Sequence, residues 1–164
     1  MAAKNTISVR LDGISTVVSA LNTELERLKG PKATQAFIRA SILLQREMSL
    51  TSPTIPLDLS NLRHSFFAIA TRKNVDIGGR FKGGDAGKLQ SEHSSTISAA
   101  KSYVSMSRYP MMIIGFSAYY AAIVHEMREN VDWNEPGSGP KFFEAAFNRN
   151  RDNLLKIFKE ESEL

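Results

Sequence analysis

Residues 125–129 contain the first side chains in this sequence that could do chemistry. His125 and Glu126 begin like the helix of a zinc protease, in which a second histidine four positions later places both ligands on one face. Position 129 is a glutamate, so this ligand pair is not formed. The chain has three histidines and no cysteine, which excludes disulfides, thiolate metal sites and cysteine nucleophiles. We therefore expect no metal site.

Two further catalytic patterns fail on spacing or context. Gly87 and Lys88 resemble the end of a phosphate-binding loop, but the first glycine of that motif would fall at position 82, a lysine. Leu89 stands where the motif needs a serine or threonine for magnesium. Asp58 and Glu126 could be nominated as the carboxylate pair of a glycosidase, yet nothing in their surroundings singles them out. We predict a protein that is not an enzyme and has no cofactor.

Two aromatic-rich segments replace these chemical motifs. Residues 119–126 read Tyr-Tyr-Ala-Ala-Ile-Val-His-Glu, and residues 139–147 read Gly-Pro-Lys-Phe-Phe-Glu-Ala-Ala-Phe. Large apolar side chains without a catalytic set favour a protein that works by docking to others.

Composition limits the class of protein. A length of 164 residues, 42% hydrophobic and 23% charged, fits a single domain with a real core, spanning residues 1–164. No apolar run approaches the roughly 20 residues of a membrane helix. The first residues lack the apolar region of a signal peptide, so we expect the protein to be used where it is made, without a membrane partner.

The positive charge is concentrated in one segment. Residues 72–108 contain seven basic and three acidic residues, a net charge of +4, which equals the net charge of the whole chain. Such a segment suits an acidic partner or a path beside nucleic acid, although a solvated basic loop explains it equally well. The candidates for contact with nucleic acid or an acidic partner are Arg80, Lys82, Lys88 and Lys101.

Hydrophobic periodicity places the N-terminal elements. Alternating Ile7, Val9 and Leu11 indicate a short strand. Asp12 then caps a helix whose apolar face recurs every three or four residues until Gly30 and Pro31 stop it. A second helix runs from about residue 31 to 51, since a residue before proline, here Ser52, is driven out of helical geometry. Its apolar face consists of Ala33, Phe37, Ala40, Leu44 and Met48.

The remaining elements complete an α+β fold. Asp58 or Ser60 could cap one helical turn before a strand at 66–71, and a second strand covers 111–116. Residues 74–108 are rich in glycine and serine and predict a long insertion, within which 97–104 is a short helix or a strand. A helix follows at 118–127, and Pro140 begins a long C-terminal helix. We predict two N-terminal amphipathic helices and this C-terminal helix packed on a small, mainly antiparallel sheet.

Arg63 has two interpretations that stay open. Its guanidinium lies just before a strand, where it could brace the loop 53–60 against the sheet or contact a neighbouring subunit.

The order of these segments resembles the neck or tail-completion proteins of long-tailed bacteriophages. In that family a central motif usually reads Pro-x-Asp-Thr-Gly-x-Leu-Arg-x-Ser. It is matched by Pro56, Asp58, Leu62, Arg63 and Ser65. The chain departs from the family at residues 59–60, Leu-Ser for Thr-Gly, and at residues 126–128, Glu-Met-Arg for Phe-Gly-Thr. The resemblance covers about residues 10–73 and 109–160.

The resemblance implies a non-catalytic virion protein that is made in the host cytoplasm and forms a ring at the head–tail junction. Its expected partners are further copies of itself (a hexamer favoured, a dodecamer possible), head-side connector or adaptor proteins, and the tail terminator or tail tube. Genome DNA would pass through the ring without sequence specificity. Candidate subunit contacts are Arg63, Tyr120, His125, Trp133 and Phe143. The alternative is a small basic nucleic-acid-binding protein, although its basic residues are not interleaved with aromatic stacking platforms.

Overall fold

The computed structural model describes residues 14–25, 28, 30–127 and 131–163. The predicted strand at residues 7–11 and the Asp12 cap lie outside these residues. The described elements form an α+β fold, in which helices cover both faces of a three-stranded sheet. The order of elements is α1 (Ile14–Leu25), α2 (Gly30–Leu50), α3 (Asn61–His64), β1 (Phe66–Ala70), β2 (Lys73–Asp76), α4 (Ala86–Met106), β3 (Met112–Phe116), α5 (Ala121–His125), α6 (Phe142–Arg149) and α7 (Arg151–Glu163).

The two N-terminal helices form where apolar spacing predicts them. All five apolar-face residues named for the second helix are buried in α2. In α1, Ile14 and Val17 are buried, whereas Val18 is 40% exposed. Arg149 donates hydrogen bonds to the carbonyl oxygens of Thr51 (3.1 Å) and Ser52 (2.8 Å), which satisfies backbone acceptors just beyond the end of α2.

The sheet is antiparallel, with strand order β2-β1-β3. The central strand β1 is buried on both faces, as its five apolar residues require. Phe66, Ala68 and Ala70 point into the main core, whereas Phe67 and Ile69 point toward α4. Side chains thus alternate between the two faces of the sheet along the strand predicted at residues 66–71.

The main core lies between the sheet and α1, α2, α6 and α7. Phe66, Phe142, Phe158, Leu44 and Met48 are among its most completely buried side chains. Edge-to-face contacts continue through it, with ring centroids 5.5 Å apart for Phe66 and Phe116 and 5.4 Å apart for Phe116 and Phe142.

Residues 74–108, predicted as a long insertion rich in glycine and serine, consist largely of regular structure. The segment contains the end of β2 and the 21-residue helix α4, and the part left open between helix and strand, 97–104, is helical. The buried side of α4 is formed, at three- and four-residue steps, by Leu89, His93, Ile97, Ala100 and Val104. Serine is the commonest residue on its solvent side, and the hydroxyls of Ser94 and Ser105 donate to preceding carbonyl oxygens of the helix without ending it.

The C-terminal helix is divided at Asn150. Helical hydrogen bonding continues through the division, since Asn150 N bonds Ala146 O (3.2 Å) and Leu154 N bonds Asn150 O (2.8 Å). The buried Asn150 side chain also donates to Ala146 O (3.0 Å). The helix begins at Phe142 with Lys141 in the left-handed region (φ 58°) as N-cap, so Pro140 does not occupy the first helical position as predicted.

The two short helices differ from their predictions in detail. Ser60 does occupy the N-cap position of α3, but it has left-handed geometry (φ 63°) and no capping hydrogen bond from its side chain. Helix α5 has five residues and ends at His125, so it is shorter than the predicted 118–127.

Candidate docking site

One surface pocket brings together the two parts of the chain that carry the sequence motifs. It has a volume of about 340 Å3. Residues 56–62 form one wall, α5 and the turn before it form another, and residues 131–134 close it. Its lining is mainly apolar and is supplied by Pro56, Leu57, Leu59, Leu62, Tyr120, Val124, Met127, Val131 and Trp133, with Asp58, Asn61, Asp132 and Asn134 as the polar members.

Backbone hydrogen bonds hold the wall at residues 56–62. Ile55 N donates to Met48 O (2.8 Å), and Thr54 N donates to Gly137 O (2.9 Å). Asn61 forms a two-way link to the segment before α4, because its Nδ2 donates to Lys82 O and its Oδ1 accepts from Lys82 N, both at 2.8 Å. The wall is therefore held by hydrogen bonds to three other parts of the chain, at Met48, Gly137 and Lys82.

Exposed apolar side chains surround this pocket. Leu59 is 46% exposed, Met127 38% and Val131 37%, and nearby on α5 and its preceding turn Ile123 is 51% and Tyr119 48% exposed. We call these five residues the apolar patch. Exposed apolar side chains gathered near a pocket favour the binding of another molecule there.

The pocket is acidic at its rim. Burial raises the pKa of the Tyr120 hydroxyl, and nearby Tyr119, Asp58 and Asp85 raise it further. Tyr119 donates a hydrogen bond to Asp85 (3.3 Å), and Lys88 Nζ lies 3.6 Å from the centre of the Tyr119 ring. Tyr120 thus stays a neutral hydrogen-bonding group, and a partner with basic side chains would complement the rim.

His125 and Glu126 form a link inside the chain. His125 Nδ1 lies 2.7 Å from Glu126 Oε1, and Lys141 Nζ lies 2.5 Å from Glu126 Oε2. Hydrogen bonds from Lys141 and then from His125 lower the pKa of Glu126 against the opposing effect of its burial, and Glu126 in turn raises the pKa of Lys141. The group joins the end of α5 to the start of α6, with Lys141 N also bonded to His125 O (2.9 Å).

The predicted subunit-contact residues do not lie at one place. Tyr120 and Trp133 both line the pocket, and Nε1 of Trp133 is buried with no acceptor among the described residues. His125 is buried, with its ring 5.1 Å from that of Phe142, so it supports the fold. Phe143 is half-buried and separates two other grooves.

Arg63 lies in α3 and is half-buried. Its Nε is buried without a hydrogen-bond partner, and across the described ranges its guanidinium makes no hydrogen bond to the loop 53–60. Bracing of that loop through hydrogen bonds is therefore not seen.

The four predicted basic candidates are all exposed, but they are not one cluster. Arg80 and Lys82 precede α4, and Lys88 lies in its first turns. Lys101 is thirteen residues further along, about 20 Å up the helix axis and on a different side of it. The basic surface is thus concentrated around the start of α4. It lies beside the pocket wall, to which Lys82 is joined by its hydrogen bonds with Asn61.

Sequence reasoning missed the role of His93. This buried ring contacts Ser117 Oγ (2.6 Å) through Nδ1 and the carbonyl oxygen of Ile77 through Nε2, which ties α4 to the residues that directly follow the two edge strands, β3 and β2. Gly79 leaves room for it, since a Cβ there would lie 3.3 Å from the ring, and its φ of +96° also favours glycine. The signal that could have identified it is the helical spacing of His93 with Leu89 and Ile97, which places the three side chains on one face of a helix.

Comparison with known proteins gives no relative: no family model, no curated protein and no solved structure matches this chain. In the part of the chain that the structure describes, no three histidine, aspartate or glutamate side chains converge as metal ligands. No described helix is long and apolar enough to cross a bilayer.

Proposed function

We propose that this chain is a structural protein of a long-tailed phage virion, which forms a ring at the head–tail junction and acts by docking. The proposal is supported by one observation above the others. The Pro56–Ser65 motif and the Tyr119–Glu126 segment, which carry the resemblance, meet at one solvent-facing pocket surrounded by the apolar patch.

The chemistry of the pocket supports docking. Its polar side chains are two aspartates, two asparagines and the Tyr120 hydroxyl, without a histidine, lysine or serine among the lining residues. A carboxylate pair alone offers no activated nucleophile, whereas apolar walls with a few polar groups suit recognition of a protein segment.

The partners follow from the same proposal. Copies of the chain would surround an axial passage, as a hexamer in preference to a dodecamer, between a head-side connector and the tail. The acidic rim formed by Asp58 and Asp132 would meet basic side chains of the neighbour, and the start of α4, with Arg80 and Lys82, offers such side chains on the next copy. Lys101, away from this cluster, would face the DNA or another partner.

A charge placed in the apolar patch tests the proposal. In a phage lacking this gene, wild-type protein supplied in trans should restore infectious particles, and the Met127→Glu variant should restore at least about tenfold fewer because it buries an unpaired carboxylate in the contact. The matched control is Ile42→Glu on α2, at 57% exposure, which should complement normally. Equal titres for both variants would argue against docking through this patch.

The alternative, a small nucleic-acid-binding protein, is supported by the exposed basic residues near α4. Replacement of Lys82, Lys88 and Lys101 by glutamine separates the two functions. The structural proposal predicts impaired assembly or DNA retention in particles, with wild-type protein binding free duplex DNA weakly at physiological salt. The alternative predicts tight, salt-dependent binding by the wild-type chain that this variant loses. Replacement of Lys32, Lys156 and Lys159 removes the same charge elsewhere and serves as the control.

A further inference from the structure

Three large side chains at the end of α4 are exposed. Tyr103 is 60% exposed, Met106 75% and Tyr109 78%, so each is more exposed than any residue of the apolar patch. Met106 follows Tyr103 by three residues, which places both on one side of the last turns of α4. Tyr109 lies three residues beyond the end of the helix. These side chains contribute little to the core, so the fold does not explain why they are large and apolar.

Basic side chains lie beside these residues. Arg72, in the turn between β1 and β2, and Arg108 line the same depression as Tyr109, and its volume is about 580 Å3. Lys101 is four residues before Ser105, which also lines the depression, so the two share one side of α4. The three basic residues are all exposed. We define the basic-aromatic surface as Arg72, Lys101, Tyr103, Met106, Arg108 and Tyr109.

The described chain does not neutralise this positive charge. Residues 93–125 contain no aspartate or glutamate. No carboxylate is among the described residues that line the depression, and within the described ranges none of Arg72, Lys101 and Arg108 forms an ion pair. By contrast, Arg39 and Lys141 on other parts of the surface are paired with glutamates. Three cations without a described counter-charge attract an anionic ligand.

The exposed rings indicate which kind of anion fits. In a single-stranded polynucleotide, phosphates meet cations and the faces of unpaired bases stack on aromatic side chains such as Tyr103 and Tyr109. In a duplex the bases stack on one another, so the rings would gain nothing. A protein partner anchors its large side chains in well-packed pockets. This depression is instead lined mainly by polar side chains, among them Thr71, Ser105 and Ser107. The observations therefore favour a single strand.

We propose that the basic-aromatic surface binds single-stranded polynucleotide without sequence preference. The two tyrosine rings stack on bases, and the three cations bind the phosphates between them. Within residues 101–109, basic and aromatic residues are interleaved (Lys101, Tyr103, Arg108 and Tyr109), which corrects the expectation that the chain lacks such stacking platforms. This activity goes beyond the proposed docking, because the surface shares no residue with the pocket at residues 56–62 or with the apolar patch.

Fluorescence anisotropy with the isolated full-length chain tests the proposal. The probe is a labelled oligothymidylate of about 20 nucleotides, longer than the sites of common single-strand binders. Wild-type protein should bind it at least about tenfold more tightly than a duplex of the same length, since only the single strand offers free base faces. Binding should weaken as the salt concentration rises. Oligouridylate measured in parallel tells RNA from DNA, and binding of either strand supports the proposal.

Two variants locate the binding on this surface. Tyr109→Ala should weaken binding of the strand at least about fivefold, because one base loses its stacking partner. Arg108→Gln should lower the slope of log affinity against log salt by about 0.7, the value for one phosphate contact on a single strand. Both side chains are exposed, so the variants should unfold at the wild-type temperature.

Tyr119→Ala and Lys156→Gln are the matched controls, since both side chains are exposed but lie outside the basic-aromatic surface. Both should bind the strand as the wild type does. Polyglutamate that competes as well as the strand would overturn the proposal by reassigning the surface to acidic proteins. Equal affinity for strand and duplex, no binding, or equal losses in Tyr109→Ala and Tyr119→Ala would also overturn it. None of these outcomes bears on docking through the apolar patch, which Met127→Glu tests in particles.

Discussion

The two faces of the sheet are stabilised in different ways. On one face β1 packs into a broad core that includes its own Phe66 together with Phe142 of α6 and Phe158 of α7. On the other face a single helix, α4, is held by a small cluster in which Phe67 and Ile69 meet Ile97, Ala100 and Val104. Polar anchors at His93 and Asn61 supplement this smaller cluster. We infer that the first face sets overall stability and the second sets the position of α4 and of the basic residues at its start.

The largest loss of stability should come from a substitution in the broad core. Phe66→Ala removes a ring that is 2% exposed and contacts Phe116, so we expect the free energy of unfolding to fall by about 3–5 kcal/mol. Chemical denaturation measures this loss. A change below about 1 kcal/mol would show that this face does not dominate.

A smaller and more local effect is expected beneath α4. Ile97 is 7% exposed, and Ile97→Ala should cost about 2 kcal/mol, at the lower end of such substitutions because few neighbours surround the site. Hydrogen exchange should accelerate within residues 86–106 more than within α2. Equal acceleration in both helices would mean that the two faces unfold as one unit.

The polar anchor of α4 can be tested with a pair of glycines. Gly79→Ala adds a methyl group 3.3 Å from the His93 ring at a φ of +96°, so it should destabilise the protein by at least about 1 kcal/mol. Gly84 lies five residues later with nothing within 4 Å of an added Cβ. Gly84→Ala should therefore be neutral or slightly stabilising in thermal unfolding. The reverse order would contradict the role given to His93.

The smallest loss of stability is expected at Glu126, which links α5 to α6 on the broad-core side. The pKa of Glu126 is lowered in the folded chain. Its contribution to the free energy of unfolding is therefore complete above the ordinary carboxyl pKa of 4.5, and it is lost as the pH falls through the lowered pKa of the folded chain. Glu126→Gln should cost less than about 1 kcal/mol at neutral pH, as is usual for partly exposed ion pairs. The difference from wild type should shrink below pH 4.5.

Urea unfolding at several pH values checks this window. Glu163→Gln, an exposed glutamate at the end of α7, controls for the loss of one carboxylate. If the difference in the free energy of unfolding between Glu126→Gln and wild type grew as the pH falls, the lowered pKa assigned to Glu126 would be contradicted.

The elements on the broad-core side are well predicted from the sequence because their apolar residues recur at regular spacing. Leu44 and Met48 recur at helical spacing in α2, and the alternation around Phe67 and Ile69 places each side chain of β1 on the correct face. Helix α4 was not predicted because serine is the commonest residue on its solvent side, which suggests a loop, and because its buried side includes a histidine and an alanine. The spacing of Leu89, Ile97 and Val104 carried the correct signal.

The site was predictable only in part. Tyr120 and Trp133 were named from their aromatic character, and both line the pocket. That residues 56–62 form the opposite wall depends on contacts between distant parts of the chain, such as the link from Asn61 to Lys82, which local patterns do not contain. His125 was named as a candidate subunit contact, yet its ring packs on Phe142 and is buried.

The most direct measurement of the central claim is electron microscopy of negatively stained particles from a phage that lacks this gene. If the chain joins head to tail, filled or partly filled heads and separate tails should accumulate, and wild-type protein supplied in trans should restore joined particles. Normally joined, infectious particles in its absence would contradict the account.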